Sequence, residues 1–239
     1  MAPVEEEEEV SVDFELFVLP GARKVMSPEY KYYVENRRAD KIPARVLKDP
    51  ELYYFSDGNN DLETIRIEEN QRVRGKFQYK GPNPIRFYRK MENIEGEPTF
   101  IPVAEARIHP EEKRVILILS PNHMSTGFTV KSIDLDGGEI EKGNAYICNL
   151  AAGPVAINID GNSIYLKPAQ GSVVSLSESR GYSVEVKLAT LGAENEWGLR
   201  HYERLLVDSN RAYLFLVLMN PTSDGFRVVS IRVEDEQSV

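Results

Sequence analysis

The chain has 239 residues, and its 38 acidic against 29 basic residues give a formal net charge of -9 at pH 7. With 41% hydrophobic and 28% charged residues, the composition is that of a globular protein and excludes a disordered, collagen-like or coiled-coil chain. The longest clean apolar run, Tyr213 to Met219, is far shorter than the roughly 18 residues of a membrane-spanning helix, so a soluble protein is expected.

The acidic excess is concentrated at the N-terminus. Residues 1–20 contain seven acids and no base, which leaves 31 of the 38 acids to balance all 29 bases. The run Glu5–Glu9 is typical of a solvated tail, with folding back onto a basic surface of the chain as the alternative. No signal-peptide pattern is present, so we expect a cytoplasmic protein, or a periplasmic or secreted one if Met1 replaces a removed signal peptide.

Strand patterns dominate the rest of the chain. Runs with period-two alternation, or rich in β-branched and aromatic residues, predict strands near residues 12–18, 52–56, 63–68, 72–79, 85–90, 100–108, 114–119, 128–135, 145–149, 155–159, 163–167, 172–177, 182–188, 199–207, 212–219 and 226–234. The strongest hairpin signal is Asp160-Gly161 between Ala156–Ile159 and Ser163–Leu166. No segment has a sustained helical period, although Ala193–Leu206 could begin with a helical turn. The predicted fold class is all-β.

An internal repeat of about one hundred residues organises these strands. At an offset of 99, Thr64–Ile67 aligns with Ser163–Leu166 and Ile85–Phe87 with Val184–Val186, and at an offset of 100 Ser120-Pro121 aligns with Asn220-Pro221. A unit of this length with about seven strands has the size of an immunoglobulin domain. We therefore predict two tandem antiparallel β-sandwich-like units that arose by internal duplication.

The repeat also sets the predicted domain boundaries. They are an acidic N-terminal arm and extra segment over residues 1–40, a first β unit over 41–136 and a second over 137–239. The apolar runs Val115–Leu119 and Tyr213–Met219 occupy equivalent places and alternate poorly, which predicts central strands that are buried by neighbours on both faces or at a contact between the units.

Six structural residues mark equivalent points of the two units: Gln71, Gln170, Pro121, Pro221, Gly127 and Gly225. With hairpin turns, an apolar strand followed by proline and a closing Gly-Phe strand, this pattern resembles uncharacterised secreted bacterial tandem β-sandwich proteins. The resemblance covers most of residues 52–235 and implies a fold without implying an activity.

A basic stretch in the first unit is the candidate binding site. Arg72, Arg74, Lys76 and Lys80 share one strand parity, and the equivalent Gly171–Ser179 of the second unit contains no base. The predicted ligand-binding residues are Arg72, Arg74, Lys76, Tyr79, Lys80 and Arg86. A polyanion such as lipopolysaccharide or an acidic polysaccharide is the hypothetical ligand, and an ordinary solvated strand face is the alternative. Nucleic acid is not expected, because no recognised binding module occurs.

Aromatic residues suggest a second kind of surface. Tyr30, Tyr32 and Tyr33 form one cluster and Tyr53–Phe55 another, and such clusters either bind ligands or pack at strand ends. The lone Trp197 is interpreted as a lid over the core of the second unit.

Signatures of catalysis and of metal binding are lacking in the sequence. His109, His123 and His201 are scattered, and Cys148 is predicted to be a buried, inert thiol. The segment Asp134–Glu141 has the acid density of a calcium loop but only its opening pair fits, so it is interpreted as a solvated linker, with weak calcium binding as the alternative. We expect no catalytic residue, no metal ligand and no cofactor.

These patterns favour a non-enzymatic binding or structural module of a bacterial envelope or secreted assembly. Its partner would be a polysaccharide, an envelope component or a protein, bound by the basic and aromatic face of the first unit. One alternative is a carboxylate-using enzyme or enzyme subunit acting on glycans, for which Glu105 and Glu203, aligned at an offset of 98, are the paired candidates. Another is a subunit that pairs with its partner through exposed strand edges.

Overall fold

A computed structural model describes residues 8–36, 38, 41–43, 50–58, 60–67, 73, 75–92, 96–122, 127–137, 140–176, 183–192, 196–219 and 225–233. The strands among them are β1 (Glu9–Val18), β2 (Glu51–Phe55), β3 (Leu62–Arg66), β4 (Phe77–Pro82), β5 (Ile85–Glu92), β6 (Pro98–Ala106), β7 (Arg114–Pro121), β8 (Phe128–Asp134), β9 (Asn144–Asn149), β10 (Val155–Ile159), β11 (Asn162–Leu166), β12 (Gly171–Ser175), β13 (Ser183–Leu191), β14 (Trp197–Leu206), β15 (Ala212–Met219) and β16 (Phe226–Val233). Two short helices, α1 (Ala22–Met26) and α2 (Pro28–Glu35), lie between β1 and β2. Every predicted strand run overlaps one of these strands, and the all-β class is confirmed.

The chain divides into two compact units, residues 1–136 and 137–239. In the first unit, sheet 1 has the strand order β4-β1-β7-β8 and sheet 2 the order β3-β2-β5-β6. In the second unit, sheet 3 has the order β12-β9-β15-β16 and sheet 4 the order β11-β10-β13-β14. Adding eight to each strand number of the first unit gives the second unit, so the two units share one topology. The prediction of two repeated sandwich-like units is confirmed.

Strand β1 corrects the prediction that residues 1–40 are an arm and extra segment outside the repeat. It pairs antiparallel with β4 and parallel with β7, and β9 pairs in the same two ways with β12 and β15. β1 is therefore the counterpart of β9 and belongs to the first unit. The constant offset did not reveal it, because both helices lie in the β1–β2 connection whereas β9 and β10 are separated by residues 150–154 alone. Of the acidic run Glu5–Glu9, the first three residues lie outside the described part of the chain.

The predicted Asp160-Gly161 hairpin is confirmed. These two residues join β10 to β11, and Ile159 pairs directly with Asn162 across the turn. Both have positive φ, 45° for Asp160 and 95° for Gly161, which is the backbone of a type I′ turn. The Asp160 side chain also accepts a hydrogen bond from the backbone N–H of Glu185 on β13 at 2.7 Å, which fixes the turn against its own sheet.

Each unit has its own core between its two sheets. In the first unit Phe14 is fully buried and packs edge to face against Tyr54 at 5.2 Å and Phe87 at 5.8 Å between ring centroids. In the second unit the core is mainly aliphatic, with Phe215 as a fully buried ring. Strand β7 from Arg114 to Leu119 and strand β15 from Ala212 to Leu218 are buried at every position, so the prediction of strands buried on both faces is confirmed except at Met219, which is exposed. The predicted helical turn begins at 193–195, outside the described residues, and its continuation is strand β14.

Candidate functional site

The basic stretch predicted to bind a polyanion is only partly described. Arg72 and Arg74 lie outside the described residues, whereas Lys76 and Lys80 are exposed. Tyr79 is only 5% exposed, and its hydroxyl donates a hydrogen bond to the carbonyl of Pro82 at 2.5 Å. Its ring belongs to the core of the first unit, which corrects the prediction that it contacts a ligand.

Two of the predicted basic residues lie on opposite sides of the first unit. Lys80 is on β4 of sheet 1 and Arg86 is on β5 of sheet 2, and in both strands the neighbouring residues point into the core. Because the two sheets face each other across that core, their outward faces point in opposite directions. Arg86 is also paired with Glu105 at 3.3 Å. Lys80 and Arg86 therefore do not form one continuous cationic surface.

The outward face of sheet 4 instead concentrates exposed apolar side chains. Six of them have exposed fractions between 40% and 82%, and the strand register directs all six away from the core. Single exposed apolar residues are ordinary, but a group on one sheet face indicates a binding surface. We call this group the aromatic face, and it consists of Tyr165, Leu191, Trp197, Leu199, Tyr202 and Leu206.

The strand register forms a corner of two rings on this face. Tyr165, Ala156, Ala189 and Leu199 lie opposite one another across β11, β10, β13 and β14. Because the two central residues are alanines, the Tyr165 ring meets the Trp197 ring over them, with centroids 5.9 Å apart and planes at 86°. A flat ligand ring can stack on one of these rings while the other contacts its edge.

Polar side chains form the next row of the same face. Ser163, Asn158, Lys187 and Tyr202 are opposite one another in the register. The Asn158 amide donates to the Ser163 hydroxyl at 2.8 Å, and the Lys187 ammonium lies 5.9 Å from the centre of the Tyr202 ring. Hydrogen-bonding groups therefore adjoin the aromatic corner directly.

At one end of the aromatic face, the carboxylate of Glu185 contacts two cations and a tyrosine hydroxyl. Its carboxylate accepts hydrogen bonds from Arg204 at 2.8 Å and from the Tyr202 hydroxyl at 3.1 Å, and it lies 3.3 Å from the Lys187 ammonium. The hydrogen bond from Arg204, followed by those from Lys187 and Tyr202, lowers the pKa of Glu185 to about 2. Glu185 is thus ionised at neutral pH, and this cluster of two bases and one acid has an excess positive charge.

A β-bulge adds another exposed cation to β14. The register between β13 and β14 shifts between Leu188 and Ala189, so that Arg200 has no residue directly opposite it. Its side chain is exposed, and its Nε donates to the Thr190 hydroxyl at 3.2 Å. The bulge also aligns Leu199 with Ala189, which keeps Leu199 on the aromatic face.

The equivalent face of the first unit, on sheet 2, is occupied by its own rings. Phe55 packs against Tyr88 at 5.7 Å and Phe100 at 6.5 Å, and Tyr53 packs against Phe100 at 5.4 Å. All four rings are half-buried. Burial, and then the hydrogen bond to Glu51, raise the pKa of Tyr53 to about 12. The same position in the fold is therefore self-packed in one unit and open in the other.

The proposed carboxylate pair does not occupy equivalent positions. Glu105 is opposite Arg86, and the equivalent of that pair in the second unit is Glu185 opposite Arg204. The counterpart of Glu105 is therefore Arg204, which corrects the alignment of Glu105 with Glu203. Glu203 is opposite Val186 and points toward the core side. Its Oε1 lies 3.1 Å from Nε2 of His201 without the alignment of a hydrogen bond.

The sequence also suggested roles for Trp197, for Cys148 and for the histidines. Trp197 is 46% exposed, so its interpretation as a core lid is wrong. Cys148 is fully buried in β9, as predicted. His109 is exposed beside a turn, and His123 lies outside the described residues.

In the acidic segment Asp134–Glu141, the carboxylates of Asp134 and Asp136 have partners within the first unit. Asp134 accepts a hydrogen bond from the backbone N–H of Asp136 at 2.9 Å, and Asp136 pairs with Arg114 at 3.4 Å. Within the part of the chain that the structure describes, no three His, Cys, Asp or Glu side chains gather as a metal ion would require. Neither helix of that part is long and apolar enough to cross a membrane.

No protein-family model matches the chain, and no curated protein matches its sequence. The resemblance to secreted bacterial tandem β-sandwich proteins stays a prediction.

Proposed function

We propose that the protein is a non-enzymatic binding module that recognises a glycan through the aromatic face of its second unit. The observation that supports this function is the solvent-open corner of Tyr165 and Trp197 beside a row of polar side chains. Sugar rings offer C–H faces that pack on aromatic rings and hydroxyl groups that exchange hydrogen bonds with polar side chains. Both kinds of contact are available side by side on this face.

The charged cluster on this face favours a glycan over a protein partner. The centre of a protein interface is apolar and depleted of charged residues. On the aromatic face, Glu185, Lys187 and Arg204 lie between the Tyr165–Trp197 corner and Leu206. A partner rich in hydroxyl groups can replace the water around these side chains with hydrogen bonds, whereas an apolar protein surface would remove that water without replacing its hydrogen bonds.

The state of Glu185 fits a binding role better than a catalytic one. A general acid needs a pKa near the working pH, and the pKa of Glu185 is lowered to about 2 by its cationic partners. A binding module for polysaccharide would serve in a bacterial envelope or secreted assembly, which is the setting expected from the sequence.

A binding assay with paired aromatic variants tests this function. The chain is titrated against a panel of soluble polysaccharides, with Trp197→Ala and Tyr165→Ala as test variants and Tyr32→Ala as a control, because Tyr32 is equally exposed on α2 of the other unit. We expect about tenfold or greater loss of affinity for each test variant and none for the control. Failure of the whole panel to bind, or binding unchanged by Trp197→Ala, would contradict the proposal.

The length of β14 favours a second candidate function. It is an edge strand of ten residues, and four residues of the aromatic face lie on it: Trp197, Leu199, Tyr202 and Leu206. Long apolar edge strands pair with other chains, and charges on them prevent that pairing. Self-association in sedimentation equilibrium that Leu206→Lys abolishes would favour a strand-pairing subunit, and a monomer at all concentrations would exclude self-pairing.

A further inference from the structure

We propose that the glycan bound by the aromatic face is an anionic polysaccharide, whose acidic groups are bound by Lys187 and Arg204. This inference rests on the proposed function, and it specifies the ligand class for the same surface.

The charge of the face is opposite to that of the chain. The whole chain has a net charge of -9, whereas the cluster on this face has two cations, Lys187 and Arg204, for the one carboxylate of Glu185 that they share. The side chains of Lys187 and Arg204 are 47% and 66% exposed. A guanidinium has five N–H donors and an ammonium three, more than the contact with one carboxylate uses. A carboxylate of the ligand would make charge-assisted hydrogen bonds with these donors, which are stronger than those of a neutral hydroxyl.

The spacing of the rows requires a chain of sugars. The Tyr165–Leu199 row, the Lys187–Tyr202 row and the Glu185–Arg204 row follow one another at two-residue steps along β13, from Ala189 through Lys187 to Glu185. Each step is about 6.6 Å, so the aromatic corner and the Arg204 guanidinium row are about 13 Å apart. One sugar ring does not reach both, whereas an oligosaccharide lying along the strands does.

The ring geometry separates this ligand from single-stranded nucleic acid. Proteins bind such strands by stacking successive bases on aromatic side chains beside a basic groove. Here the two contacting rings are nearly perpendicular, so two successive bases in a parallel stack cannot both lie flat on them.

The experiment compares each acidic polysaccharide with its own methyl ester. Polygalacturonate, alginate and hyaluronate are titrated by calorimetry at low and high salt, beside their methyl esters, which keep the sugar chain and remove the charge. The test variant combines Lys187→Gln with Arg204→Gln, and the control combines Lys80→Gln with Arg86→Gln, two exposed cations of the first unit. Circular dichroism verifies the fold of each variant.

The expected result is a preference of about tenfold or more for at least one acidic form over its ester. Salt and the Lys187/Arg204 variant should remove that preference, and the Lys80/Arg86 variant should keep it. Acid and ester bound equally, with both lost in Trp197→Ala, would overturn the anionic ligand and leave the proposed function standing.

Three other outcomes would also be decisive. No binding of either form would overturn the inference, and the proposed function would fall with it if the neutral polysaccharides of the wider panel also failed to bind. A preference lost in the Lys80/Arg86 variant would assign the ligand to the first unit and overturn the inference. Stronger binding of a 12-nucleotide single-stranded DNA, lost in Trp197→Ala, would replace the polysaccharide by a nucleic acid.

Discussion

Asn149 shows how one side chain stabilises the entry to sheet 4. It is fully buried, and its amide nitrogen donates to the carbonyls of Gly153 at 2.9 Å and Leu166 at 3.1 Å. Its amide oxygen accepts from the backbone N–H of Ala151 at 3.0 Å. The side chain thus provides partners for three backbone groups around the connection to β10. Buried backbone groups need such partners, since each one left unpaired is costly.

We predict that Asn149→Ala destabilises the protein far more than an exposed Asn→Ala change. The variant leaves three backbone groups near the β9–β10 connection without their partner, which lowers the free energy of unfolding by about 2–4 kcal/mol. Asn162→Ala is the matched control, because Asn162 is an exposed asparagine on β11, and it should change stability by less than about 0.5 kcal/mol. Urea denaturation followed by circular dichroism measures the free energy of unfolding of both variants. Equal losses would contradict the prediction, because the hydrogen bonds of Asn149 would then add nothing to stability beyond an exposed side chain.

The same cross-strand position holds an ion pair in both units, but the acid and the base have exchanged strands. Arg86 on β5 faces Glu105 on β6 at 3.3 Å, and Glu185 on β13 faces Arg204 on β14 at 2.8 Å. Opposite charges stabilise a directly opposed pair whichever strand carries the acid. The second unit adds Lys187 and Tyr202 to this pair, and the addition turns a simple ion pair into the charged cluster of the aromatic face.

The lowered pKa of Glu185 predicts how the stability contributed by its cluster depends on pH. Because its pKa in the folded protein is about 2, below the ordinary 4.5, the cluster contributes its full stability above about pH 4.5 and loses it as the pH falls toward 2. Carbon-detected NMR titration should therefore place Glu185 near 2. In the variant with Lys187→Gln and Arg204→Gln the pKa should rise toward the ordinary value. A carboxyl that titrates near 4.5 in the unaltered protein would contradict the cluster.

Sequence patterns predict the elements whose signals lie within a short stretch of the chain. Asp160-Gly161 specifies a two-residue turn by its own backbone preference, and the alignment of Ile85–Phe87 with Val184–Val186 required no knowledge of strand pairing. Helix α2 was missed although Ser27 caps it, with its hydroxyl accepting from the N–H of Tyr30 at 3.2 Å, and Pro28 begins it. Eight residues are too few to show a helical period.

The candidate site could not be predicted because it depends on pairing between distant strands. The corner of Tyr165 and Trp197 exists because Ala156 lies opposite Ala189, a match of β10 with β13 that is invisible along the chain. The direction of Leu199 further depends on the bulge at Ala189. Basic residues, in contrast, are visible in any sequence, but strands β4 and β5 divide them between two sheets.

At the scale of the whole molecule, duplication has produced one open face and one closed face on the same topology. In the second unit the rings of Tyr165, Trp197 and Tyr202 are about half exposed. In the first unit Tyr53, Phe55, Tyr88 and Phe100 pack against one another, so their apolar area is already covered. A ligand removes little further apolar area from water where neighbouring rings already cover it. Where the rings are exposed, ligand binding buries apolar area and is favoured.

This asymmetry predicts one ligand per chain in spite of two repeated units. Calorimetric titration with an oligosaccharide long enough to span the aromatic face should give a stoichiometry close to one. Trp197→Ala should abolish the heat of binding, whereas Phe100→Ala, which removes a ring from the closed face, should lower stability and leave affinity unchanged. In hydrogen exchange, the ligand should slow the amides of β13 and β14 and leave those of β5 and β6 unaffected. A stoichiometry of two, or protection of both sheets, would mean that the packed rings of the first unit open to bind and that both copies have kept the same role.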